Sequence, residues 1–167
     1  MKQRELVAMT AQEAAGFLAA GRKVQLATNG SGGFPHLVTM YYVMTNGQIT
    51  FWTYRKSQKA LNLERDPRIS CLVEDGGEYF DLRGVLIQGT ARRIDDPDEV
   101  AAIGRRIMAV IGGAMAGGGE DALAAYVEHA ARKRCGYRVE PTNVISWDHT
   151  KLASGLCRQA LAGGMAS

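Results

Sequence analysis

One stretch of the chain decides the fold: Phe51-Trp52-Thr53-Tyr54-Arg55-Lys56-Ser57-Gln58-Lys59-Ala60-Leu61-Asn62-Leu63-Glu64-Arg65-Asp66-Pro67. Residues 49–54 are rich in the β-branched and aromatic side chains that strands favour. Leu61 and Leu63 then follow at helical positions, and Pro67 ends the helix. The stretch therefore predicts a strand, a short turn and a helix.

The charges of this helix run against the usual rule. The first turn of a helix favours acids, because its free N–H groups and the helix dipole make that end positive. Here the start carries three basic residues, Arg55, Lys56 and Lys59. A bound phosphate would explain them, with Ser57 donating its hydroxyl and Lys59 closing over the same oxygens. The alternative is a solvated basic turn in which Ser57 is an ordinary N-cap.

The same stretch resembles the pyridoxamine 5′-phosphate oxidase-like, flavin-binding split-barrel superfamily. The resemblance rests on Trp52-Thr53, on Ser57-Gln58-Lys59 and on Asn62-Leu63-Glu64-Arg65-Asp66-Pro67-Arg68-Ile69-Ser70. Its most specific part is the pattern Asn-Leu-x-x-Asp-Pro-Arg. The resemblance extends over residues 24–94, with weaker support at residues 144–149.

The resemblance implies a cofactor and a partner. In the superfamily, a basic residue at the place of Lys59 holds the phosphate of FMN or, as the alternative, of the 8-hydroxy-5-deazaflavin coenzyme (coenzyme F-420). A homodimer with the cofactor near the interface is expected. The predicted cofactor-binding residues are Tyr41, Trp52, Thr53, Arg55, Lys56, Ser57, Gln58, Lys59 and Trp147. No residue is assigned as a catalytic acid or base.

Two aromatic regions accompany these residues. Tyr41, Tyr42, Trp52 and Tyr54 are expected on adjacent strands, where they would either stack on a ring system or pack the barrel. Trp147, followed by Asp148 and His149, is expected at the rim of the pocket near the cofactor ring, with the partner subunit as its possible source. The alternative for Trp147 is a plug at the barrel end.

The chain departs from true pyridoxamine phosphate oxidases at three places. Residues 36–42 contain no Arg or Lys where such oxidases bind the cofactor. Arg83-Gly84-Val85 replaces a flavin-contacting Gln, and the tail lacks the Gly-Gly-x-Arg-Leu-x-x-Arg segment that binds pyridoxal phosphate. The sequence therefore predicts a short, divergent oxidoreductase that transfers hydride to or from a small organic substrate. The alternative is a non-catalytic flavin carrier.

Composition fits one domain. The chain has 167 residues with 46% hydrophobic content, so residues 1–152 are predicted to form the barrel domain and residues 153–167 a flexible tail. The net charge of +3 is too small to favour a third hypothesis, a nucleic-acid-binding barrel. No signal segment or run of about 18 apolar residues is present, so no membrane contact and a cytoplasmic location are expected.

A metal site is not expected. His36, His129 and His149 are scattered, and the three cysteines are an odd number at wide spacings. Cys71 alternates with Ile69 and Val73, which indicates a position in the core.

The remaining patterns predict a mainly β (α+β) fold: a six-stranded antiparallel split β-barrel with one N-terminal helix and a helical pair inserted before the last strand. Thr10 and Glu13 have capping-box spacing, and Asn46-Gly47 indicates a hairpin. A bend is expected near Gly84 or Gly89. The strands, in a meander-like sheet, are expected at residues 24–28, 36–44, 49–54, 69–74, 79–94 and 136–147. The helical pair is expected at residues 96–111 and 120–134, joined by a Gly-rich connector at residues 112–119.

Overall fold

The computed structural model describes residues 3–111 and 119–152. Its helices are α1 (Gln3–Val7), α2 (Ala11–Ala20), α3 (Gln58–Arg65), α4 (Pro97–Ile111) and α5 (Gly119–Ala131). Its strands are β1 (Lys23–Asn29), β2 (Pro35–Tyr41), β3 (Val43–Thr45), β4 (Gln48–Tyr54), β5 (Arg68–Asp75), β6 (Arg83–Ile94) and β7 (Arg134–Asp148). The tail at residues 153–167 and most of the Gly-rich connector lie outside the described residues.

The sheet is antiparallel and has the strand order β2-β1-β5-β6-β7-β4-β3. Its two edge strands, β2 and β3, are separated in the chain by Tyr42 alone. One bent segment therefore supplies both edges of the curled sheet, as a split barrel requires. This confirms the predicted fold class, but the single strand expected at residues 36–44 is broken, so seven strands replace six. The sheet is also not a simple meander, because β1 pairs with β5 and β4 pairs with β7.

The break at Tyr42 has a physical cause. The Tyr42 side chain is fully buried, and its hydroxyl donates to the carbonyl oxygen of Leu18 at 2.5 Å. Burial raises the pKa of Tyr42 to about 12, so the hydroxyl stays protonated and remains a donor. A Cβ on Gly21 would lie 2.3 Å from the same hydroxyl oxygen, which makes glycine necessary beside it.

Two apolar clusters cover opposite faces of the sheet. The first fills the barrel with alternating residues of the strands, and Cys71 belongs to it as predicted. The second lies between the barrel wall and the helices α4 and α5. Trp52 belongs to this second cluster, because its ring packs where Gly104 of α4 has no side chain.

The short-range signals are confirmed. Thr10 and Glu13 form a complete capping box at the start of α2. Asn46 and Gly47 both have positive φ angles, of 51° and 75°, as the predicted hairpin turn requires. The bend in β6 lies at the bulge between Gln88 and Gly89. The strand expected from residue 79 begins only at Arg83, because Tyr79–Asp81 forms a 3-10 turn. A second N-terminal helix, α1, was not predicted.

Candidate functional site

Helix α3 is fixed to the barrel by a buried amide. Asn62 is fully buried and donates through Nδ2 to the hydroxyl of Thr28 on β1 at 3.0 Å. Its Oδ1 accepts from Gln58 Nε2 at 2.9 Å. Because a buried amide without partners would be costly, these bonds favour one orientation of the helix. Leu63 packs into the barrel core beside it.

The end of α3 is held by a second set of bonds. Asp66 accepts from the guanidinium of Arg68 at 2.7 Å and from Asn29 Nδ2 at 2.8 Å. The Arg68 bonds, followed by that of Asn29, lower the pKa of Asp66 well below its usual range. Four residues of the Asn-Leu-x-x-Asp-Pro-Arg pattern, Asn62, Leu63, Asp66 and Arg68, thus anchor the helix.

Three polar side chains converge at the start of α3, and we call Thr53, Ser57 and Lys59 the Lys59 cluster. Lys59 Nζ donates to Thr53 Oγ1 at 3.2 Å, and the hydroxyls of Thr53 and Ser57 lie 3.1 Å apart. Ser57 is also the N-cap of α3, accepting from the backbone N–H of Ala60 at 3.4 Å. The N-cap expected as the alternative to a phosphate site is therefore present, and it is compatible with a bound anion.

Lys59 carries a charge that the described residues do not balance. Its side chain is half-buried, and burial lowers the pKa of its ammonium group. None of the ion pairs within residues 3–111 and 119–152 includes it. An anion bound here would restore the stability of the charged form.

The floor of the Lys59 cluster is neutral. The thiol of buried Cys135 on β7 points at the carbonyl oxygen of Thr53, with Sγ 3.9 Å away. Burial raises the pKa of Cys135 and that of the neighbouring Tyr137, so both groups stay protonated at neutral pH. No negative charge from these two residues competes with a ligand of Lys59.

The other basic and polar residues predicted for the site have different surroundings. Arg55 pairs with Asp95 at 2.5 Å, and Asp95 also binds Arg93 at 2.9 Å. Lys56 is exposed to solvent. Gln58 is bonded to Asn62, as described above. Sequence reasoning missed Asp95, because 40 residues separate it from Arg55 and no local pattern links them.

The aromatic residues do not form one group. Tyr42 lies inside the barrel, and Trp52 is covered by α4. Tyr54 and Trp52 hold the guanidinium of Arg134 between them, with its carbon 4.4 Å and 4.3 Å from the two ring centres. Tyr41 is exposed at the end of β2. Of the four, Tyr41 and Tyr54 present the surface that a ligand ring needs.

Trp147 lies on the outer face of the sheet. Its ring covers Gly84 of β6, where a Cβ would lie 2.3 Å from Trp147 Cζ2. Only glycine at position 84 leaves room for the indole. This gives a physical reason for Arg83-Gly84-Val85 at the place where true pyridoxamine phosphate oxidases have a flavin-contacting Gln. Trp147 lies twelve positions along β7, roughly 40 Å of strand, from Cys135, the residue that pairs with Thr53. Trp147 and the Lys59 cluster thus lie far apart along β7.

Two cavities of the chain lie elsewhere. One of about 570 Å³ follows α2 and reaches Arg83 and Asp148. Another, of about 490 Å³, lies between α2, Met44 and Val144. Neither is lined by a residue of the Lys59 cluster.

Within residues 3–111 and 119–152, no three His, Cys, Asp or Glu side chains are grouped so that they could hold a metal ion. In the same part of the chain, every helix is too short or too polar to cross a membrane.

Comparison with known proteins finds one family and many related folds. The family model for pyridoxamine 5′-phosphate oxidase matches residues 10–148. A conserved hypothetical protein from Mycobacterium tuberculosis is 38% identical, with a TM-score of 0.81, and the match covers 92% of this chain and 93% of that one. The comparison with curated proteins found no match.

More distant structures share the fold alone. An F-420 reductase is 19% identical with a TM-score of 0.62, over 81% of this chain and 98% of that one. The heme storage protein of Vibrio cholerae is 15% identical with a TM-score of 0.59, over 81% of this chain and 94% of that one.

Replacing Asn62 by alanine should destabilise the protein by about 1–3 kcal/mol, because Thr28 loses its buried donor. Asn143→Ala is the matched control, since Asn143 is exposed and bonds only Gln88 among the described residues. Urea unfolding of both variants measures the difference. Equal losses in the two variants would show that the buried amide is not what anchors α3.

Proposed function

Because the chain belongs to the pyridoxamine 5′-phosphate oxidase family, we propose that it is a homodimeric oxidoreductase that binds a flavin-type cofactor and transfers hydride to or from a small organic substrate. The observation that carries the proposal is the half-buried ammonium of Lys59, which donates to the hydroxyl of Thr53 and has no acidic partner among the described residues. The cofactor is FMN, with the 8-hydroxy-5-deazaflavin coenzyme as the alternative.

The Lys59 cluster fits the phosphate of such a cofactor. Phosphate oxygens accept hydrogen bonds from ammonium and hydroxyl groups, and the Lys59 cluster offers one ammonium 3.2 Å from the Thr53 hydroxyl, which lies 3.1 Å from the Ser57 hydroxyl. The first N–H groups of α3 point the same way, because a helix start leaves its amides without intrahelical partners. Lys56 would add long-range attraction, whereas Arg55 would first have to leave Asp95.

The bound cofactor supplies the hydride chemistry, and the chain's residues bind and orient it. Thr53 and Lys59 would hold the phosphate end at the start of α3. The outer face of β2, where Leu37, Thr39 and Tyr41 point away from the core, would support the ring. This face is uncharged, which agrees with a cofactor site that differs from those of true pyridoxamine phosphate oxidases. Vitamin B6 oxidation is therefore not part of the proposal.

A non-catalytic flavin carrier is the second candidate. It is favoured by the surroundings of the Lys59 cluster, where two titratable groups of β7, Cys135 and Tyr137, are buried and neutral. Neither group is placed to move a proton to a substrate. Turnover with a reductant and candidate acceptors separates the two candidates, because a carrier binds the cofactor without accelerating hydride transfer.

The proposed homodimer rests on the outer face of the sheet. Leu72, Leu86 and Ile145 lie side by side in one cross-strand row and remain partly exposed. Leu37 on β2 is 67% exposed. Apolar side chains grouped on a flat sheet mark an interaction surface. A second copy would cover this row, and its Trp147 would reach the cofactor from the side that a single chain leaves open.

We propose the cytoplasm as the location of this oxidoreductase.

Lys59→Ala should weaken cofactor binding by about ten- to a hundredfold, since one charge-assisted phosphate contact contributes roughly 1.5–3 kcal/mol. The variant should still fold. Burial disfavours the charged ammonium of Lys59, so this side chain lowers the free energy of unfolding at pH values below its folded pKa. The cost disappears at higher pH, where the amine is neutral, and it is absent from Lys59→Ala. Titration of FMN and of the deazaflavin coenzyme, followed by visible absorption, measures both affinities and identifies the cofactor.

Lys23→Ala is the matched control for Lys59→Ala, because it removes the same charge from the exposed start of β1. If Lys59→Ala and Lys23→Ala bind both cofactors as tightly as the wild type, Lys59 is not a phosphate ligand and the proposal loses its basis.

Sedimentation at micromolar concentration should give about twice the 18.1 kDa of one chain. Leu37→Arg should shift this mass towards the monomer, because a charge would be buried in the interface. Tyr126→Arg on α5 is the control, since that exposed ring lies on a different part of the surface. A wild-type monomer that binds cofactor tightly would rule out the dimeric pocket.

Trp147→Phe should reduce the quenching of Trp fluorescence by bound cofactor and should weaken cofactor affinity several-fold. The physical reason is that the indole on the outer face would stack on the cofactor ring, and phenylalanine offers a smaller surface. Trp52 remains in the variant, and it is covered by α4. Full quenching and unchanged affinity in Trp147→Phe would assign Trp147 a structural role only.

A further inference from the structure

His149 follows directly after β7, and its position is fixed at several points. Its backbone N–H donates to the carbonyl oxygen of Leu82 at 2.9 Å, which continues the pairing of β6 and β7. Its ring packs against the ring of Tyr79 with the centres 4.8 Å apart. Because alternate residues of a strand share a face, His149 lies on the same side of the sheet as Trp147 and Ile145. This is the face that the second copy is proposed to cover.

The tautomer of His149 follows from its partner. Nδ1 lies 2.8 Å from the carbonyl oxygen of Tyr79. A carbonyl oxygen only accepts, so Nδ1 must carry the proton of the neutral ring. Nε2 is then left with a lone pair. Among the described residues, no hydrogen bond engages that nitrogen.

The aromatic side chains around His149 suggest a ligand for its Nε2. The bonds at Nδ1 and at the backbone hold the imidazole in place beside the exposed ring of Tyr79, which meets the exposed ring of Phe80 edge-on. An exposed aromatic side chain with one oriented hydrogen-bonding group beside it suits a ring that carries polar atoms on its edge. The structure provides the acceptor, and the ring must provide an N–H or O–H group.

We propose that His149 is a cofactor-binding residue of the dimeric pocket: its Nε2 accepts a hydrogen bond from an N–H or O–H on the cofactor ring whose phosphate is held by Lys59 of the partner subunit. This assignment rests on the proposed function. It adds an acceptor at the ring end of the pocket, where β2 offers no charged group. It also gives a role to Nε2, which no hydrogen bond among the described residues engages.

The tautomer is tested without any ligand. Nitrogen-15 spectra of the histidine side chains at about pH 8, where an ordinary imidazole is neutral, should show His149 protonated at Nδ1. His149→Asn identifies the signal by its loss. A spectrum with the proton on Nε2 would overturn the proposal, because that nitrogen would then be a donor.

The contact is tested by adding FMN, and separately the deazaflavin coenzyme, to the wild-type protein. The Nε2 signal of His149 should move on binding, whereas that of His129, on α5, should not. Binding that leaves the His149 Nε2 signal unchanged overturns this assignment but leaves the proposed function intact. Failure of both cofactors to bind overturns the proposed function and this assignment together.

Two variants of His149 distinguish a direct contact with the cofactor from a purely structural role. The amide of His149→Asn can still donate to the Tyr79 carbonyl but has no atom at the place of Nε2. His149→Gln carries its amide oxygen near that place. We expect His149→Asn to weaken FMN binding about three- to tenfold, as the loss of one neutral hydrogen bond predicts, and His149→Gln to restore most of it. His129→Asn is the control. Equal affinity in His149→Asn and wild type overturns the contact.

Discussion

The buried bond between Asn62 and Thr28 is the constraint on which the site depends. An amide sealed inside the protein must satisfy both its donor and its acceptor, and Asn62 does so with β1 on one side and with Gln58 of its own helix on the other. Helix α3 can therefore dock in one register only. That register places Lys59, three residues before Asn62 and nearly one turn away, against Thr53 at the end of β4.

This explains the most specific part of the sequence resemblance. The Asn-Leu-x-x-Asp-Pro-Arg residues anchor α3 through a buried amide, a core leucine and an aspartate held by Arg68 and Asn29. These anchoring residues position the side chains that would bind a cofactor, but they do not determine which cofactor binds. A pattern of this kind identifies the fold and the place of the site. Under the proposed function, the choice between FMN and the deazaflavin coenzyme would depend on the uncharged outer face of β2 and on the proposed second subunit.

The sequence predicted those features that depend on neighbouring residues. The capping box at Thr10, the Asn46-Gly47 turn and the Ser57 N-cap each follow from a few consecutive side chains. The features that were missed join distant parts of the chain. Tyr42 breaks its strand because its hydroxyl meets Leu18, Trp52 is covered because Gly104 passes over it, and Arg55 is held by Asp95. Strand alternation shows that a residue will be covered, but it does not show what will cover it.

Because β7 is long, one chain would provide only part of the proposed cofactor pocket. Its first residues pair with β4 beside the Lys59 cluster, and its last residues carry Trp147 against Gly84 at the far end of β6. A cofactor held at Lys59 cannot also lie against Trp147 of the same chain if the strand keeps them tens of ångströms apart. A twofold axis on the outer face of the sheet would reverse one barrel relative to the other. It would bring the phosphate end of one subunit towards the aromatic end of its partner, so the same contact that closes the dimer would complete the pocket.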